Sequence, residues 1–367
     1  MPMHLFTPYR LGHIELRSRI VMAPMTRQRA DSTGTPGDLA VTYYAQRATA
    51  GLIITEGTQP SAAGKAYPGV PGLHDDAQEA GWRRVCEAVH EEGGRIFLQQ
   101  MHAGRASHPL NQPDRRRPVA PSAVTPTGQQ VFTPEGFQPF VEPQALEVSE
   151  LASVQQEYAA SAQRAIRAGF DGVELHGGNG YLLQQFLAPN SNQRTDAYGG
   201  SPINRIRFVV ETAEAVAGAI GADRVGLKIT PSAHWNDIAE TDAHETYDLL
   251  IKTVAPMGLA YLHVGDPAPE HGYSAVDFAR DRFPGTLIAN SGFGNEIMTG
   301  QAAEQILADG RADLVAFGRL FLANPDLPTR LKQDAPLNDI DESTFYSPGA
   351  SGYTDYPFLD VDVDAGP

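Results

Sequence analysis

Cysteine is almost absent from this chain, since Cys86 is the single cysteine among 367 residues. One cysteine cannot form an intrachain disulfide, and an iron–sulfur cluster needs about four thiolate ligands, so both of these protein classes are excluded. Such low cysteine usage is typical of a reducing compartment, and we predict a cytoplasmic protein. Cys86 falls in a helical pattern over residues 82–89, where we expect its side chain to pack and not to act as a nucleophile.

Long apolar runs and an excess of positive charge are missing as well. No uncharged apolar run approaches the roughly 20 residues that span a bilayer, and residues 1–10 lack the layout of a signal peptide. With 28 Lys and Arg against 44 Asp and Glu, the formal net charge is −16. This charge argues against nucleic acid or an anionic membrane surface as a partner. We therefore predict small-molecule partners for a chain that works as a monomer or a small homo-oligomer.

Eight short β-rich runs are present, and most of them are separated by helical patterns. Buried apolar strands that alternate with helices are typical of a parallel sheet covered on both faces. Eight such units favour a (β/α)8 TIM barrel over an open doubly wound sheet, and we predict one α/β domain over residues 1–367. A Rossmann fold would place a Gly-x-Gly-x-x-Gly turn after the first strand, which this chain lacks. The predicted strands cover residues 20–25, 52–55, 95–99, 172–175, 225–229, 261–264, 287–289 and 314–317.

The chain is longer than the roughly 250 residues that a barrel needs, so insertions must supply much of the remainder. The largest insertion covers residues 103–148, follows the third strand and is rich in proline and glycine. A loop of this length is usually functional, and its position predicts a lid over the active-site end of the barrel. The tail over residues 345–357 is too apolar for a free tail, so we expect it to dock on the barrel.

The most informative stretch follows the fourth strand, where an apolar run ends at His176 and a Gly-Gly-Asn-Gly segment leads to Tyr181. Functional groups collect where a parallel strand opens into a loop. His176 and Asn179 can converge as two hydrogen-bond donors on one oxygen, and the Tyr181 phenol can give a proton. Two donors beside an acid predict polarisation of a carbonyl followed by protonation of its α-carbon.

Polar residues at other strand ends point to a bound ligand. Thr26 follows the first strand, where its hydroxyl could bond a cofactor carbonyl or cap the next segment. Gln99 ends the third strand; its amide suits a ring edge that alternates N–H and C=O, although a satisfied structural amide is an equal alternative. Lys228 lies inside the apolar fifth strand, and a buried lysine needs either a carboxylate partner or a negative charge that develops on a cofactor.

Glycines follow the last two strands and predict a phosphate site. The seventh strand leads into Ser291 and Gly292, with a further Phe-Gly pair at residues 293–294, and the eighth leads into Gly318 and Arg319. Barrels of this type bind a phosphate between these two loops. The Arg319 guanidinium would clamp the phosphate while the Gly292 and Gly318 amides approach it closely. A phosphorylated ligand or cofactor is therefore expected.

Together these segments resemble the Old Yellow Enzyme family of FMN-dependent ene-reductases. The resemblance implies an NAD(P)H-dependent flavin oxidoreductase in which NADPH or NADH first reduces FMN. An α,β-unsaturated carbonyl or a nitroalkene then accepts a hydride at its β-carbon in the same site, which makes the implied mechanism ping-pong. The segments that carry the resemblance are the His-x-x-Asn-x-Tyr motif at 176–181 and residues 5–8, 19–27, 99–107, 185–187, 191–200, 316–327 and 352–357.

The resemblance also implies how the cofactor is held. Thr26 would bond the flavin C4 carbonyl, Gln99 would bond the pyrimidine edge, and Lys228 would lie by the N1 and C2 carbonyl positions. The implied cofactor-binding set is completed by Pro24, Met25, Gly57, Ser291, Gly292, Gly318 and Arg319.

For the substrate, the resemblance implies that His176 and Asn179 hold the carbonyl or nitro oxygen. Tyr181 would protonate the α-carbon from the face opposite the flavin. Further residues implied to line the substrate pocket are Tyr67, Met101 and Tyr346.

Four positions distinguish this chain within the resemblance. Lys228 stands where the family usually has arginine, and a point charge does not reproduce a planar fork, so flavin affinity or potential is expected to differ. Met101 replaces a tryptophan found in many members, which predicts a reshaped pocket. Asn179 stands where some members have a second histidine, and Thr26 separates the chain from the branch with a thiol beside the flavin.

Two other functions compete with this hypothesis. A metal-dependent barrel hydrolase would use His102, His176 and His263, with Asp266 as a further ligand, but it leaves the phosphate site unexplained. A flavin-binding protein that has lost its catalytic activity is the second alternative, and Lys228 is its best support.

Three further features are expected to be structural. The arginines at residues 115–117 lie in the insertion, where we expect a solvated cluster, with contact to the phosphates of a nicotinamide cofactor as an alternative. Trp82 and Trp235 are expected to pack in the interior.

Overall fold

The computed structural model describes residues 4–266, 272–292 and 297–359. Its strands are β1 (Tyr9–Leu11), β2 (Ile14–Leu16), β3 (Ile20–Met22), β4 (Leu52–Ile54), β5 (Ile96–Gln100), β6 (Val119–Ala120), β7 (Gln130–Thr133), β8 (Gly136–Pro139), β9 (Gln144–Ala145), β10 (Gly172–Gly177), β11 (Val225–Ile229), β12 (Tyr261–Gly265), β13 (Leu287–Asn290) and β14 (Leu314–Phe317). Its α-helices are α1 (Asp38–Ala45), α2 (Asp76–Glu91), α3 (Val148–Ala168), α4 (Leu182–Leu187), α5 (Pro202–Arg205), α6 (Arg207–Ile220), α7 (Ala243–Val254), α8 (Ala275–Arg280), α9 (Gly300–Ala308), α10 (Arg319–Ala323) and α11 (Leu327–Gln333).

Eight of the strands form a closed barrel in which each neighbouring pair runs parallel. The order is β3-β4-β5-β10-β11-β12-β13-β14, and pairing of β14 with β3 closes the ring. The predicted (β/α)8 barrel is confirmed, and each predicted run contributes one barrel strand. The first strand ends sooner than predicted: Ala23 donates its N–H to the Phe317 carbonyl, and Pro24 has no N–H to extend the ladder.

Helix α3 shows why the connecting helices form where they do. Glu147 and Glu150 make a capping box at its start, and Gly169 ends it in the left-handed conformation at φ 102°. Its buried side chains pack against α2 and α6 on the outside of the barrel. One connecting helix is interrupted, because α5 and α6 separate at Ile206. No helix in the described ranges is long and apolar enough to cross a membrane.

The apolar core lies on both sides of the barrel wall, and the hairpin β1–β2 adds to its inner layer. Tyr9 of the hairpin bonds Thr286 just before β13, and Gly12 lies against the Asp223 carbonyl just before β11. The hairpin therefore closes the end where strands begin, and the end where they terminate is left for a ligand. Inner-layer side chains include Leu11, Ile14, Leu16, Val21, Leu52, Ile54, Phe97, Ile288 and Leu314.

Two segments outside the barrel repeat lie on its ligand side. The insertion after β5 contains an antiparallel hairpin, β7–β8, and a parallel pair, β6–β9. The tail docks on the barrel as expected, since Tyr353 is buried and stacks on Tyr43 of α1 with ring centroids 4.1 Å apart.

Candidate active site

A cavity of about 1420 Å³ opens at the C-terminal ends of the barrel strands. Every residue predicted for the site except Gly57 lines this cavity, so residues far apart in the sequence do meet in space. The predicted residues on its wall are Pro24, Met25, Thr26, Tyr67, Gln99, Met101, His176, Asn179, Tyr181, Lys228, Ser291, Gly292, Gly318, Arg319 and Tyr346.

Gly57 is the predicted residue that does not line the cavity. It is buried beside Met101, and a Cβ at Gly57 would lie 2.5 Å from the Met101 sulfur. Glycine at this position gives the thioether room instead of contacting a ligand directly. The expected cofactor contact of Gly57 therefore has no support in this geometry.

The turn after β10 depends on its glycines. Asn179 adopts φ 54°, and its N–H donates to the Thr230 hydroxyl at 2.9 Å. A Cβ on Gly178 would lie 2.5 Å from that hydroxyl, and one on Gly180 would lie 2.3 Å from the Trp235 carbonyl oxygen. Neither position accepts a larger residue, while asparagine tolerates the left-handed conformation between them. The tight turn places the three polar side chains of the motif on one wall.

Two tyrosines meet in the cavity. The hydroxyl oxygens of Tyr67 and Tyr181 lie 3.3 Å apart. Burial raises the pKa of Tyr181 well above its ordinary value, and the Tyr67 and Tyr346 phenols raise it further. Burial also raises the pKa of Tyr67. Both phenols are therefore neutral at neutral pH, and Tyr181 holds a proton that it can donate.

His176 is buried at the end of β10, with its ring centroid 5.2 Å from that of Tyr181. Its Nδ1 has no hydrogen-bond partner within the part of the chain that the structure describes. Burial lowers the pKa of His176 well below its ordinary value, and the charges of Lys228 and His263 lower it further. A neutral imidazole carries one N–H donor, which suits an oxygen acceptor in the cavity.

The bottom of the cavity is a buried polar cluster of Gln99, Glu174, Lys228 and His263, which we call the floor. Glu174 accepts a hydrogen bond from the Gln99 amide at 2.8 Å and pairs with His263 Nδ1 at 2.8 Å. Burial alone would raise the pKa of Glu174, but His263, Lys228 and Gln99 together hold it below its ordinary value. Glu174 is therefore ionised, and it engages the Gln99 NH2 group, which leaves the Gln99 carbonyl for a ligand.

Lys228 is the cation of the floor that faces the ligand. It lies in register with His176 on β10 and His263 on β12, and it lines the cavity. Burial lowers the pKa of Lys228, and the charge of Glu174 opposes this shift. The charge of Glu174 supports the carboxylate alternative raised by the sequence, and the Lys228 side chain also lines the cavity.

The predicted phosphate site lies where β13 ends. Gly292 has φ 76°, and its N–H donates to the Asn290 side-chain oxygen at 2.9 Å. This amide is engaged within the protein, so the expected approach of the Gly292 N–H to a phosphate is not supported. Residues 293–294 of the same motif lie outside the described residues.

The other half of the predicted phosphate site is more open. A Cβ on Gly318 would meet the Met25 sulfur at 3.6 Å and no closer atom. Arg319 begins α10, lines the cavity and contacts the Glu342 carboxylate at 3.5 Å. A guanidinium next to open backbone is a donor set that suits a phosphate.

Five large apolar side chains surround the mouth of the cavity, and we call them the rim. They are those of Phe132, Phe137, Trp235, Ile297 and Tyr346. Sequence reasoning predicted only Tyr346 among them. The Phe132 and Phe137 rings come from the insertion hairpin and lie 5.4 Å apart. Exposed apolar surface of this kind marks a place where another molecule binds. The rim consists of Phe132, Phe137, Trp235, Ile297 and Tyr346, which are 38%, 66%, 38%, 37% and 54% exposed.

The two tryptophans have different roles. Trp82 packs in the interior as expected, with its indole N–H on the Gly72 carbonyl at 3.1 Å. The prediction for Trp235 was wrong, because this residue lies in the loop after β11 and lines the cavity. No periodic pattern in that loop indicates which way its side chains face.

The metal hypothesis is not favoured. His263 pairs with Glu174, and His102 Nδ1 accepts the Gly104 N–H at 3.1 Å. Across the described ranges, no three or more His, Cys, Asp or Glu side chains come together as a metal-binding group.

The arginines at residues 115–117 lie outside the cavity wall and pair with Asp114, Glu135 and Glu142 on the surface.

The donor set at the cavity suits a phosphorylated flavin. Thr26, Gln99 and Lys228 line it with a hydroxyl, an amide and a cation, which suit a polar ring edge. Gly318 and Arg319 line it with backbone and a guanidinium, which suit a phosphate.

Comparison with known proteins gives concordant matches over the whole chain. The NADH:flavin oxidoreductase / NADH oxidase family matches residues 4–338. The chain is 40% identical over 366 residues to 12-oxophytodienoate reductase 1 of Oryza sativa subsp. japonica, covering 97% of this chain and 93% of that protein. It is 43% identical over 362 residues to a probable flavin mononucleotide-dependent alkene reductase of Leishmania infantum, covering 97% of each. Morphinone reductase in complex with tetrahydroNAD superposes with a TM-score of 0.92 and 46% identity, covering 98% of this chain and 99% of that one.

Proposed function

The chain belongs to the NADH:flavin oxidoreductase / NADH oxidase family, the family of the Old Yellow Enzymes, and from this premise we propose that Tyr181, His176 and Asn179 carry its chemistry. The chain is an FMN-dependent ene-reductase that draws its electrons from NADH or NADPH. We propose α,β-unsaturated carbonyls or nitroalkenes as its substrates. The observation that carries the proposal is the neutral Tyr181 phenol beside His176 on the cavity wall.

The chemistry that bound FMN would supply is hydride transfer, from the nicotinamide to the β-carbon of the alkene. The protein's part is to bind the substrate oxygen, which gains negative charge during the reaction. His176 donates its ring N–H and Asn179 its side-chain amide to that oxygen. Both donors are held in place by β10 and the glycine turn, so they stabilise the developing charge without reorganisation.

Tyr181 delivers a proton to the α-carbon. Its raised pKa keeps the phenol protonated at neutral pH, so the proton is available in each turnover. When that proton leaves, the Tyr67 hydroxyl at 3.3 Å can donate a hydrogen bond to the phenolate. Tyr67 thus stabilises the charge on Tyr181 until a proton from solvent replaces the one transferred.

The residues that would hold FMN divide by chemistry. Gln99 and Lys228 would meet the polar edge of the ring from the floor, and Thr26 would meet it from the end of β3. Gly318 and Arg319 would take the phosphate. Because a lysine places one compact charge where an arginine would place a planar fork, Lys228 would bind the ring edge with fewer hydrogen bonds.

We assign to the insertion over residues 103–148 the role of a lid. Its Gln129 side chain accepts the Asn236 N–H at 3.0 Å, and Arg105 donates to the Asp237 carbonyl at 2.7 Å. These bonds tie the insertion to the loop that carries Trp235. Replacing residues 130–139 with a short glycine linker should raise the KM for the alkene; an unchanged KM would refute the lid.

The visible spectrum of the purified protein tests the function. A flavin spectrum should bleach when NADPH is added without oxygen and return when cyclohexenone is added. A flavin that bleaches but is not reoxidised by cyclohexenone or by a nitroalkene would contradict the proposed substrates. A colourless protein that cannot be reconstituted with FMN would contradict the cofactor assignment.

We also propose a cytoplasmic location and binding to small molecules in preference to nucleic acid. The single cysteine and the net charge of −16 support these assignments. Cell fractionation and a polyanion-binding assay test them, and enrichment with membranes or retention on DNA would refute them. A monomer or a small homo-oligomer is proposed as the assembly state, to be measured by sedimentation.

A further inference from the structure

Part of the cavity wall comes from residues 342–352, which overlap the start of the tail and which we call the tail loop. Phe345 and Tyr346 of this loop line the cavity. The loop forms no strand, and its backbone–backbone hydrogen bonds within the described residues are local, such as Phe345 N–H to the Glu342 carbonyl and Ser347 N–H to the Thr344 carbonyl. These backbone hydrogen bonds therefore do not attach the loop to the barrel, and side chains must hold it in place.

Arg29 is the side chain that does this most completely. A guanidinium has five N–H donors, and each of those of Arg29 is matched by a backbone carbonyl. Four of the five acceptors belong to the tail loop, so this one side chain holds the loop at four points. The acceptors are the carbonyls of Gly349 at 3.1 Å, Phe345 at 2.9 Å, Thr344 at 2.9 Å, Ser351 at 2.9 Å and Arg27 at 2.8 Å.

Neighbouring groups hold the Arg29 guanidinium in place. Its central carbon lies 4.5 Å from the centroid of the buried Tyr353 ring. Arg27 donates to the Phe345 carbonyl at 3.2 Å and to the Gly352 carbonyl at 2.7 Å, so the Phe345 carbonyl accepts from both arginines. Arg27 and Arg29 lie one and three residues after Thr26 in the chain. The segment that would meet the flavin thus also holds the tail loop.

We propose that Arg29 is a positioning residue that sets where Phe345 and Tyr346 stand, and thereby sets the affinity for the alkene. This inference rests on the proposed function, since it concerns the same cavity. Arg29 touches no reacting atom; it acts through the tail loop. A lysine could not replace it, because one ammonium cannot reach carbonyls spread around a planar fork.

The first test measures the tail loop directly by hydrogen exchange with mass spectrometry, on the full chain loaded with FMN. In Arg29→Lys, a peptide covering residues 342–352 should exchange about tenfold faster, whereas peptides from the barrel strands should be unchanged. Arg10→Lys on the hairpin at the far end of the barrel is the matched control and should leave the tail loop unchanged. Unaltered exchange of the loop in Arg29→Lys would overturn the proposal.

The second test separates binding from chemistry. For a bulky enone, Arg29→Lys should raise KM about tenfold with kcat within about twofold, because a misplaced wall weakens binding alone. The rate of flavin reduction by NADPH should not change. A fall in kcat with unchanged KM would overturn the positioning role.

A double-mutant cycle with Tyr346→Ala tests the route of the effect. If Arg29 acts through the wall, Tyr346→Ala and Arg29→Lys should raise KM less together than the product of their separate effects. Effects that multiply in full would overturn the proposal. Should Arg29→Lys not fold, Arg29→Gln replaces it with the same expected directions.

The proposed function and the positioning role of Arg29 fail separately. The exchange experiment needs no turnover, so an inactive enzyme with an Arg29-dependent tail loop would refute the proposed function and leave the positioning role of Arg29 standing. An active ene-reductase with an Arg29-independent loop would do the reverse.

Discussion

The floor and the rim of one cavity are built in opposite ways. The floor residues Gln99, Glu174 and His263 are fully or almost fully buried, lie on barrel strands and are joined by hydrogen bonds of 2.8 Å. The rim residues are 37% to 66% exposed and lie in the insertion, the loop after β11, the segment before α9 and the tail loop. A substitution in the floor would disturb the barrel strands, whereas a substitution at the rim would leave them intact. We infer that the floor keeps the cofactor chemistry constant and that the rim determines which alkene enters.

The largest effect is expected from breaking the floor. Glu174→Ala removes a buried carboxylate and leaves Gln99 and His263 without their partner, which should cost about 3–5 kcal/mol of unfolding free energy. Urea unfolding measures this loss, and the purified variant should also retain less FMN. Glu142→Ala, which removes an exposed partner of Arg117, is the control and should leave stability unchanged. Equal stabilities of the two variants would show that the floor is not a stabilising cluster.

A half-buried carboxylate beneath the rim should make its own contribution to the pH dependence of stability. Glu240 accepts hydrogen bonds from the Ser232 N–H and the Tyr247 hydroxyl, each at 2.8 Å, under the loop that carries Trp235. Burial raises its pKa from 4.5 to about 7. Between these values the folded chain holds a proton that the unfolded chain has lost. The contribution of Glu240 to the unfolding free energy should therefore fall by about 3 kcal/mol as pH rises from about 4.5 to about 7.

Glu240→Gln should remove this slope, because an amide does not titrate. The variant is expected to be more stable than the wild type at about pH 8 and similar to it at about pH 4.5. Unfolding curves across this range test the idea, with the exposed Glu245→Gln on α7 as the control. Parallel pH profiles for Glu240→Gln and the wild type would exclude Glu240 as the titrating group.

Tyr181 lies between floor and rim, and its loss should separate the two half-reactions. Tyr181→Phe should slow reoxidation of the flavin by an enone at least about 100-fold, since the general acid is gone. Flavin reduction by NADPH should stay within about twofold, because that step needs no proton from Tyr181. Stopped-flow spectroscopy follows both steps. Tyr9→Phe, at the closed end of the barrel, should change neither; equal losses in both half-reactions of Tyr181→Phe would refute its role as the acid.

The smallest effect is expected at the rim itself. Phe137 is 66% exposed on the insertion hairpin, so Phe137→Ala removes apolar contact with the substrate and little else. The KM for a bulky enone should rise about threefold, with less change for cyclohexenone and none in flavin reduction. Steady-state kinetics with both enones tests the difference. A change in flavin reduction as large as the change in KM would erase the distinction between rim and floor.

The same comparison explains what could be predicted from the sequence. Floor and wall residues follow apolar strands, and strand ends of a barrel meet in one place, so position along the chain gave position in space. Glu174 was missed, although the argument applied to Lys228 covers it: a charged side chain inside a buried strand needs a partner. His263 was named only as a ligand in the competing metal hypothesis, because its partner Glu174 lies 89 residues away in the chain.

The rim could not be predicted in this way. Phe132 and Phe137 lie on the short strands β7 and β8, which were not predicted within the insertion, and Trp235 lies in the loop after β11, where spacing does not tell which way a side chain faces. Gly292 shows the same limit at finer scale. Its N–H was predicted to approach a phosphate, but the sequence did not indicate that the Asn290 side chain accepts a hydrogen bond from this N–H.

Cys86 has a consequence for the lifetime of the working enzyme. Activated alkenes are electrophiles, and protein thiolates attack the same β-carbon that receives the hydride. The single thiol of this chain is 1% exposed on α2, and burial raises its pKa well above the ordinary value. Because the thiolate is the reactive form, the thiol of Cys86 is shielded from the compounds that the protein reduces. It should therefore survive alkene concentrations that would alkylate a cysteine-rich enzyme.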